Sequence, residues 1–256
     1  MKRFFTIFIM IILFEEYIFA VDIEFKAGLT QQQLSGSISN INSDTTFENE
    51  LAYDTTYSSL FSLEFRDMNY IPNIKLSYMN TQESSSAVLD KTIVIANSRF
   101  DQNSSVFSEI DYKQFNALIY KDFFLQGTYL FDGMFYSGDI EMDLGINVQY
   151  TQWNFDIKNI SNPTQAVSYI YVNSFIASPS LAVKYYLYHV SMEIFADALA
   201  YQDEKVLHYG ANISYNFDTG VVVSLAYNYN KFELTEKEDK VDFSTAGVTF
   251  MFGYHF

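Results

Sequence analysis

The carboxyl-terminal segment, residues 248–256, is the part of the sequence that most restricts the fold. Counting back from the end, large apolar side chains occupy every second position: Phe256, Tyr254, Phe252, Phe250 and Val248. A period of two is typical of a β-strand with one apolar face. A lipid-facing strand needs this pattern, and only a closed barrel leaves no unpaired edge in a bilayer. The pattern therefore predicts the closing strand of a transmembrane β-barrel; a half-buried strand of a soluble sandwich is the alternative.

The first twenty residues have the features of a secretory signal peptide. Lys2 and Arg3 precede an apolar run, residues 4–14, that is too short to cross a bilayer as a helix, and Ala20 is a small residue suited to cleavage. We therefore expect residues 1–20 to be removed and residues 21–256 to form a single barrel domain. The chain has no cysteine, which excludes disulfides, thiolate metal sites, a lipoprotein anchor and thiol nucleophiles.

The composition is acidic and aromatic. The net charge is -16, and residues 21–256 keep this charge because the first twenty residues hold two basic and two acidic side chains. Binding to nucleic acid is not expected of such a chain. Acidic loops could bind divalent cations, but solvated loop carboxylates are the simpler interpretation. The 25 Phe and 21 Tyr residues favour a membrane barrel, in which aromatic side chains form two interfacial girdles.

Alternating segments follow one another along the chain. In the clearest one, residues 140–150, six apolar side chains alternate with polar or small ones, and similar segments cover residues 21–29, 57–66, 74–81, 175–187, 190–200, 207–217 and 221–229. The connections are asymmetric: those at 67–73, 188–189 and 218–220 are short, whereas those at 36–56, 83–108, 152–168 and 231–240 are long and polar. Short turns belong on the periplasmic side. With both termini in the periplasm, the sequence predicts an all-β, up-and-down antiparallel barrel of ten strands, within a range of eight to twelve.

Residues 109–139 leave the strand count open. The stretch between Tyr120 and Asp139 is long enough for either an enlarged turn or an additional hairpin, and the hairpin would make twelve strands. The segment before it changes phase, because Ile110 and Tyr112 share one parity and Phe115 and later apolar residues share the other. A β-bulge would explain this shift. Residues 92–96 are expected to form a short strand within the second outer loop.

Several weak motifs, in this order, resemble the small uncharacterised outer-membrane β-barrel proteins of proteobacteria. They are Ala27-Gly28 followed by Leu34-Ser35-Gly36, the segment Ile71-Pro72-Asn73-Ile74-Lys75-Leu76-Ser77-Tyr78, the segment Met142-Asp143-Leu144-Gly145-Ile146, and Gly247-Val248. That family passes from its fourth to its fifth strand through a tight turn, so the insertion at 121–138 is a departure. The resemblance implies a monomeric barrel and supplies no catalytic residues.

Ionisable residues on the inward parity are the candidates for chemistry. The lumen-facing polar candidates are Glu141, Asp143, Lys184, Glu193, Asp197 and His208. Glu141 and Asp143 could form a cation site or an acid–base pair, although pairing with Lys26, Arg66, Lys75, Lys113 or Lys184 on neighbouring strands is the more common arrangement. His208 could act as a base beside Asp197 or Glu193, or simply fill the lumen.

No established catalytic or metal-binding pattern is present. The sequence lacks the Gly-x-Ser-x-Gly nucleophile motif, and His189, His208 and His255 do not form a spaced metal set. No catalytic, cofactor-binding or metal-binding residue is therefore predicted, and no cofactor is expected.

The predicted strand number bears on transport. A ten-stranded barrel is narrow, and inward side chains fill most of its lumen, so a general diffusion pore is not expected. We expect a non-enzymatic envelope-structural or surface-interaction protein; the alternatives are a narrow channel for small solutes and an outer-membrane hydrolase. The expected surroundings are outer-membrane lipid, lipopolysaccharide and the barrel assembly machinery, which would recognise the closing strand, residues 248–256.

Overall fold

The computed structural model describes residues 21–40, 43–67, 71–96, 98–127, 129–130, 135–162, 168–201, 204–236 and 239–256. The predicted signal peptide lies outside the described residues. Every regular element within them is a β-strand, and none of them belongs to a helix long and apolar enough to cross a membrane. The strands are β1 (Asp22–Asn40), β2 (Ser43–Thr46), β3 (Thr55–Arg66), β4 (Asn73–Val88), β5 (Ile93–Ile95), β6 (Ser98–Phe100), β7 (Ser105–Leu125), β8 (Tyr129–Leu130), β9 (Phe135–Tyr136), β10 (Asp139–Asn159), β11 (Ser168–Leu187), β12 (Val190–Tyr201), β13 (Glu204–Asn216), β14 (Val221–Glu236) and β15 (Asp239–His255).

Ten of these strands form one closed antiparallel sheet. They lie side by side in chain order as β1, β3, β4, β7, β10, β11, β12, β13, β14 and β15, and β15 pairs with β1 to close the cylinder. This closing ladder extends from Glu24 opposite His255 to Ser39 opposite Lys240. A closed sheet satisfies its backbone hydrogen bonds internally, as a bilayer requires. The prediction of a ten-stranded up-and-down barrel is confirmed.

The two ends of the barrel differ in their connections. The described chain ends, residues 21 and 256, and the strand ends that flank the connections 67–72, 126–138, 188–189 and 217–220 lie at one end, which we call the terminal end. The strand ends that flank the connections 41–54, 89–104, 160–167, 202–203 and 237–238 lie at the opposite end, which we call the loop end. The alternative of twelve strands is wrong, because β8 and β9 pair only with each other over two residues and belong to an enlarged connection.

Polarity along the strands reverses partway up the barrel. In β10, the outward residues Ile140 to Tyr150 are apolar and largely exposed, and the inward residues between them are polar. Beyond Tyr150 the outward residues are polar, whereas the inward residues Trp153, Phe155 and Ile157 are fully buried. A transmembrane strand needs about 9–11 residues, and β10 has 21. The terminal-end half of the wall therefore has the polarity of a membrane barrel, and the loop-end half that of a soluble barrel.

This reversal corrects three predictions. The bulge expected in residues 109–120 is wrong, since β7 keeps one continuous register with β10 from Val106 to Leu125. Ile110 and Tyr112 point inward into an apolar lumen, and Phe115 points outward towards the lipid. Parts of the segments expected as loops are strand residues: 36–40, 83–88, 105–108, 152–159 and 231–236. Lys113 lies on the outward parity, where its ammonium is 2.6 Å from Asp111, and so cannot reach the lumen acids.

Short turns at the terminal end follow the sequence prediction more closely. Gly220 has a φ of +84° and its amide donates to the carbonyl of Phe217 at 2.9 Å, which closes the turn between β13 and β14. The connection before β4 is closed differently: the Asn73 side-chain oxygen accepts from the Asp67 amide at 3.1 Å.

Candidate functional site

The lumen holds three layers of side chains, and the layer at the loop end is apolar. We call this layer the apolar plug. Its wall comes from β1, β4, β7, β10, β11, β13, β14 and β15, and its centre comes from the two long connections, which fold into the barrel: Phe47, Leu51 and Tyr53 from the first, and Leu89, Ile93, Ile95 and Phe100 from the second. All seven are buried. The sequence predicted that these connections are polar outer loops, and no local pattern indicated that they fill the lumen.

Phe47 lies at the centre of an aromatic cluster in the plug. Its ring packs edge-on against Tyr53, Trp153, Phe155 and Phe243, with centroid distances of 5.8 to 6.2 Å. Trp153 in turn stacks on Phe155. The Phe47 amide donates to the carbonyl of Gly36 at 3.0 Å, which ties the connection to β1. Aromatic residues thus seal the lumen as well as covering the outer wall, where the sequence predicted them.

An ion pair joins the two long connections. Glu50 Oε1 lies 2.7 Å from the Lys91 ammonium, and Glu50 Oε2 accepts from the Thr46 amide at 2.7 Å. Burial raises the pKa of Glu50, but the hydrogen bonds from Lys91 and Thr46 outweigh burial and hold this pKa below its usual value of 4.5. The second connection also docks on β11, because Ser168 Oγ donates to the carbonyl of Ile95 at 2.8 Å.

The middle layer is made of hydroxyl and amide side chains around a small cavity. Gln32 donates to Ser58 at 2.7 Å and to Thr81 at 3.0 Å, and the Thr30 and Thr249 hydroxyls are 2.8 Å apart. The cavity has a volume of about 150 Å³, and its wall includes apolar side chains such as Leu60, Met79, Leu118 and Phe195 as well as polar ones. We call it the central cavity.

Asp197 and His208 lie together in the wall of the central cavity. The Asp197 carboxylate oxygen Oδ2 is 2.9 Å from His208 Nδ1 and accepts from Asn147 Nδ2, also at 2.9 Å. The His208 ring packs on Phe195, with a centroid distance of 4.9 Å. Asn147 is 4% exposed, and its side-chain oxygen has no protein partner among the described residues. Nothing in the sequence pattern distinguished Asn147 from other inward polar residues.

The layer at the terminal end is charged. It brings together three cations, Arg66, Lys75 and Lys184, with the carboxylates of Glu64, Glu141, Asp143 and Glu193; we call these seven residues the ionic network. Lys184 is its centre: its ammonium lies 2.8 Å from Asp143, 3.0 Å from Glu141 and 3.7 Å from Glu64.

Tyrosine hydroxyls complete the ionic network. Tyr186 donates to Glu141 at 3.0 Å, and Tyr120 donates to Glu64. Arg66 also forms a hydrogen-bonded ion pair with Glu141. The lumen acids therefore face basic and hydroxyl groups, and Glu141 and Asp143 also lie within hydrogen-bond reach of each other beside Lys184. A cavity of about 110 Å³ opens beside the network at the terminal end, and it shares Lys26, Lys75 and Glu193 with the central cavity.

The structure thus divides the six predicted lumen residues between two layers. Glu141, Asp143, Lys184 and Glu193 belong to the ionic network, whereas Asp197 and His208 lie in the central cavity. The five predicted residues of the closing segment, Val248, Phe250, Phe252, Tyr254 and Phe256, point outward and are 42% to 60% exposed. His189 and His255 lie far from His208 in the fold, at the terminal end beside Asp218 and Asp22.

The chemistry of the lumen is that of hydrogen bonding and charge pairing. In the described part of the chain, His208 makes its side-chain hydrogen bond with Asp197, and no Ser, Thr or Lys side chain donates to it. An acyl-transfer site needs a nucleophile within hydrogen-bond reach of its base. The described contacts of His208 are thus those of a hydrogen-bonded polar side chain in the wall of the central cavity.

Comparisons with known proteins agree with the fold. The outer-membrane protease OmpT of Escherichia coli has a similar structure, with a TM-score of 0.52 and 8% sequence identity over 92% of this chain and 96% of that one. Two further similar structures are the translocator domain of the autotransporter NalP from Neisseria meningitidis (TM-score 0.45, 13% identity, 94% and 90% of the two chains) and the attachment invasion locus protein Ail of Yersinia pestis (0.40, 10%, 93% and 100%). Neither a scan against protein-family models nor a search of curated proteins found a match. The chain has the fold of outer-membrane β-barrel proteins.

Proposed function

We propose that this protein is a non-enzymatic resident of the bacterial outer membrane whose lumen is closed to solutes. The observation that carries the proposal is the pair of seals across the lumen. The apolar plug closes the loop end with side chains that are fully buried, and the ionic network crosses the terminal end. A water-filled pore needs a continuous polar path, and the plug interrupts it.

The proposed placement follows from the polarity of the outer wall. The apolar band, marked in β10 by Ile140 to Tyr150, would lie in the hydrocarbon. We infer that the terminal end faces the periplasm, because its connections are the shorter set, and that the loop end faces outward. The apolar outward residues of 248–256 would serve the barrel assembly machinery as the insertion signal, and lipid and lipopolysaccharide would surround a monomer.

The role that fits a closed barrel is structural support of the envelope or contact with partners at the surface. The loop-end half of the wall is polar outside and apolar inside, so it would stand beyond the bilayer as a rigid rim. Nine residues of β10, 151–159, extend past the apolar band, which corresponds to about 23 Å of height at the usual rise and tilt. Surface partners would therefore meet ordered strand ends more than flexible loops.

The test of the closed lumen is ion conduction by the purified, refolded protein in planar bilayers. We expect no large, steady conductance. A variant in which residues 44–53 and 90–103 are replaced by short Gly-Ser linkers lacks the centre of the plug and provides the matched control, in which conductance should rise. A reproducible open state in the nanosiemens range for the unmodified protein would contradict the proposal and favour the narrow channel.

A further inference from the structure

Strand pairing between β11 and β12 stops partway up the barrel wall. The ladder runs from Leu187 opposite Val190 to Ser180 opposite Asp197 and ends there. Beyond this pair, residues 168–179 of β11 and 198–201 of β12 are strand residues of the described chain, yet they share no ladder. The first unpaired residue of β11 is Pro179, which has no amide hydrogen to donate to a neighbouring strand.

The unpaired stretch is bounded on its upper side as well. Two strands separate β11 from β14 in the paired region, so their axes are about 14 Å apart there. Cα atoms of β11 nevertheless approach Cα atoms of β14 within 8 Å. Such an approach requires that β12 and β13 no longer lie between the two strands at that point. The opening therefore resembles a window along residues 198–201 and not a slit along the whole barrel. Four residues correspond to about 13 Å of strand.

The lower part of the window lies within the apolar band, and small side chains surround the window. On its β12 side, Ala198 pairs with the exposed Leu207, whereas Ala200 pairs with Lys205 above the band. In β10, which pairs with β11, Ile146 lies opposite Pro179 and Tyr150 lies opposite Phe175. Both β10 residues belong to the exposed apolar band. The outward residues next to the window, Ala177, Ala198 and Ala200, have only a methyl group to cover it. A molecule dissolved in the loop-end leaflet would therefore meet little steric hindrance here.

The central cavity lies directly behind the lower edge of the window. Ser180 and Asp197, the last paired residues, both line this cavity, together with His208 and Phe195. The cavity wall combines apolar side chains with the Asp197–His208 pair. It also contains Asn147, which is 4% exposed and whose side-chain oxygen accepts no hydrogen bond from the described protein. A buried acceptor of this kind favours a ligand that brings a donor.

We propose that the window admits a small amphiphile from the bilayer into the central cavity, where its donor group binds the Asn147 oxygen beside Asp197. The volume of about 150 Å³ sets the size of the apolar body, since a cavity of this size holds one benzene-sized molecule. The ligand class is therefore a single ring or short alkyl chain with one hydroxyl or ammonium group. This entry route passes the edge of the apolar plug, where Ile176 and Leu199 face the lumen, and does not cross the centre of the plug. It therefore goes beyond the proposed closed barrel and does not require conduction.

Cysteine pairs test the window, because the chain has no cysteine of its own. Ala177→Cys with Ala200→Cys spans the window at the positions that would be paired if the ladder continued, and Pro179 stays in place. Leu181→Cys with Ala196→Cys is the matched control, since these residues are paired in the ladder and have the same outward parity. A disulfide needs Cα atoms about 4.4–6.8 Å apart.

With a mild oxidant in refolded, membrane-embedded protein, we expect the control pair to form a disulfide and the window pair to remain reduced. Equal rates of disulfide formation in the two variants would overturn the window. Heat-modifiable gel migration verifies that both variants are folded barrels.

Ligand binding is tested with phenol as the probe and anisole as its control, because anisole has the ring but no donor. Saturation-transfer NMR on the refolded protein should show saturable phenol binding and about tenfold weaker anisole binding, the size of one hydrogen bond. Asn147→Leu should weaken phenol binding by a similar factor, whereas Asn154→Leu, an outward residue of the same strand, should leave it unchanged. Equal affinity for phenol and anisole in the unmodified protein, or no saturable phenol binding, would overturn the site even if Asn147→Leu fails to fold.

Discussion

Replacing Phe47 by alanine should release the first long connection from the lumen. Phe47 is fully buried and has four aromatic neighbours within 6.2 Å between ring centroids. Removal of a buried Phe side chain costs about 3–5 kcal/mol, because the transfer free energy is lost and a cavity remains. The loss acts on docking of residues 44–53 and leaves the barrel ladders intact. A change of 3 kcal/mol raises the undocked population by about a hundredfold.

Two measurements report this population. Trp153 is the only tryptophan of the chain and is fully buried against Phe47, so undocking should shift its emission to the red and increase quenching by acrylamide. Limited proteolysis within residues 44–53 should accelerate by up to a hundredfold as well. The cleavage rate follows the undocked fraction of the connection when docking is fast compared with cleavage. Phe123→Ala, on the exposed outer wall, is the control and should change neither quantity. Unchanged quenching and unchanged cleavage in Phe47→Ala would refute the plug as the element that holds this connection.

Two further predictions concern charged groups. Lys184→Met should lower the free energy of unfolding by about 3–5 kcal/mol in urea titrations, because it removes the cation beside the buried Asp143 carboxylate and leaves Glu141 with Arg66 alone. Lys113→Met, which breaks a partly exposed outward pair, should cost at most about 1 kcal/mol, and equal costs would argue against a buried network. Since the pKa of Glu50 is held below 4.5, the Glu50–Lys91 contact contributes above about pH 4.5 and is lost as the pH falls through the lowered pKa. Acrylamide quenching of Trp153 should therefore rise as the pH falls from 5 to 3 in the unmodified protein, and this pH-dependent rise should be absent in Glu50→Gln. An identical pH profile in both proteins would refute the idea that the Glu50–Lys91 contact holds the two connections in the lumen.

The sequence predicted the membrane half of this barrel well for a physical reason. Where lipid lies outside the wall and polar groups lie inside it, outward positions need apolar side chains and inward positions need polar or small ones. Alternation such as that of Ile140 to Tyr150 therefore identifies a membrane-spanning strand and its two faces. The inward positions of Glu141, Lys184 and Asp197 followed from the same parity. The ladder between β1 and β15 was implied by the alternation of the closing segment.

The sequence did not predict the loop-end half of the wall, because polar residues point outward and apolar residues point inward there, the reverse of the membrane half. Trp153 and Phe155 occupy the inward parity that Glu141 and Asp143 occupy lower on the same strand. A single strand cannot show where the lipid ends, so Gln152 and its neighbours read as loop residues. The contribution of Phe47 and Ile95 to the plug depends on long-range packing between two connections, for which no local pattern exists. The end of the β11–β12 ladder likewise follows from the lengths of neighbouring hairpins, with Pro179 as its only local signal.

The ladder between β1 and β15 has a consequence for biogenesis. Because the first and last strands of the wall are partners, a copy that lacks its final strands cannot close the sheet and leaves two strand edges unpaired. Copies truncated by even one hairpin would keep these two strand edges exposed and should be prone to aggregation or degradation.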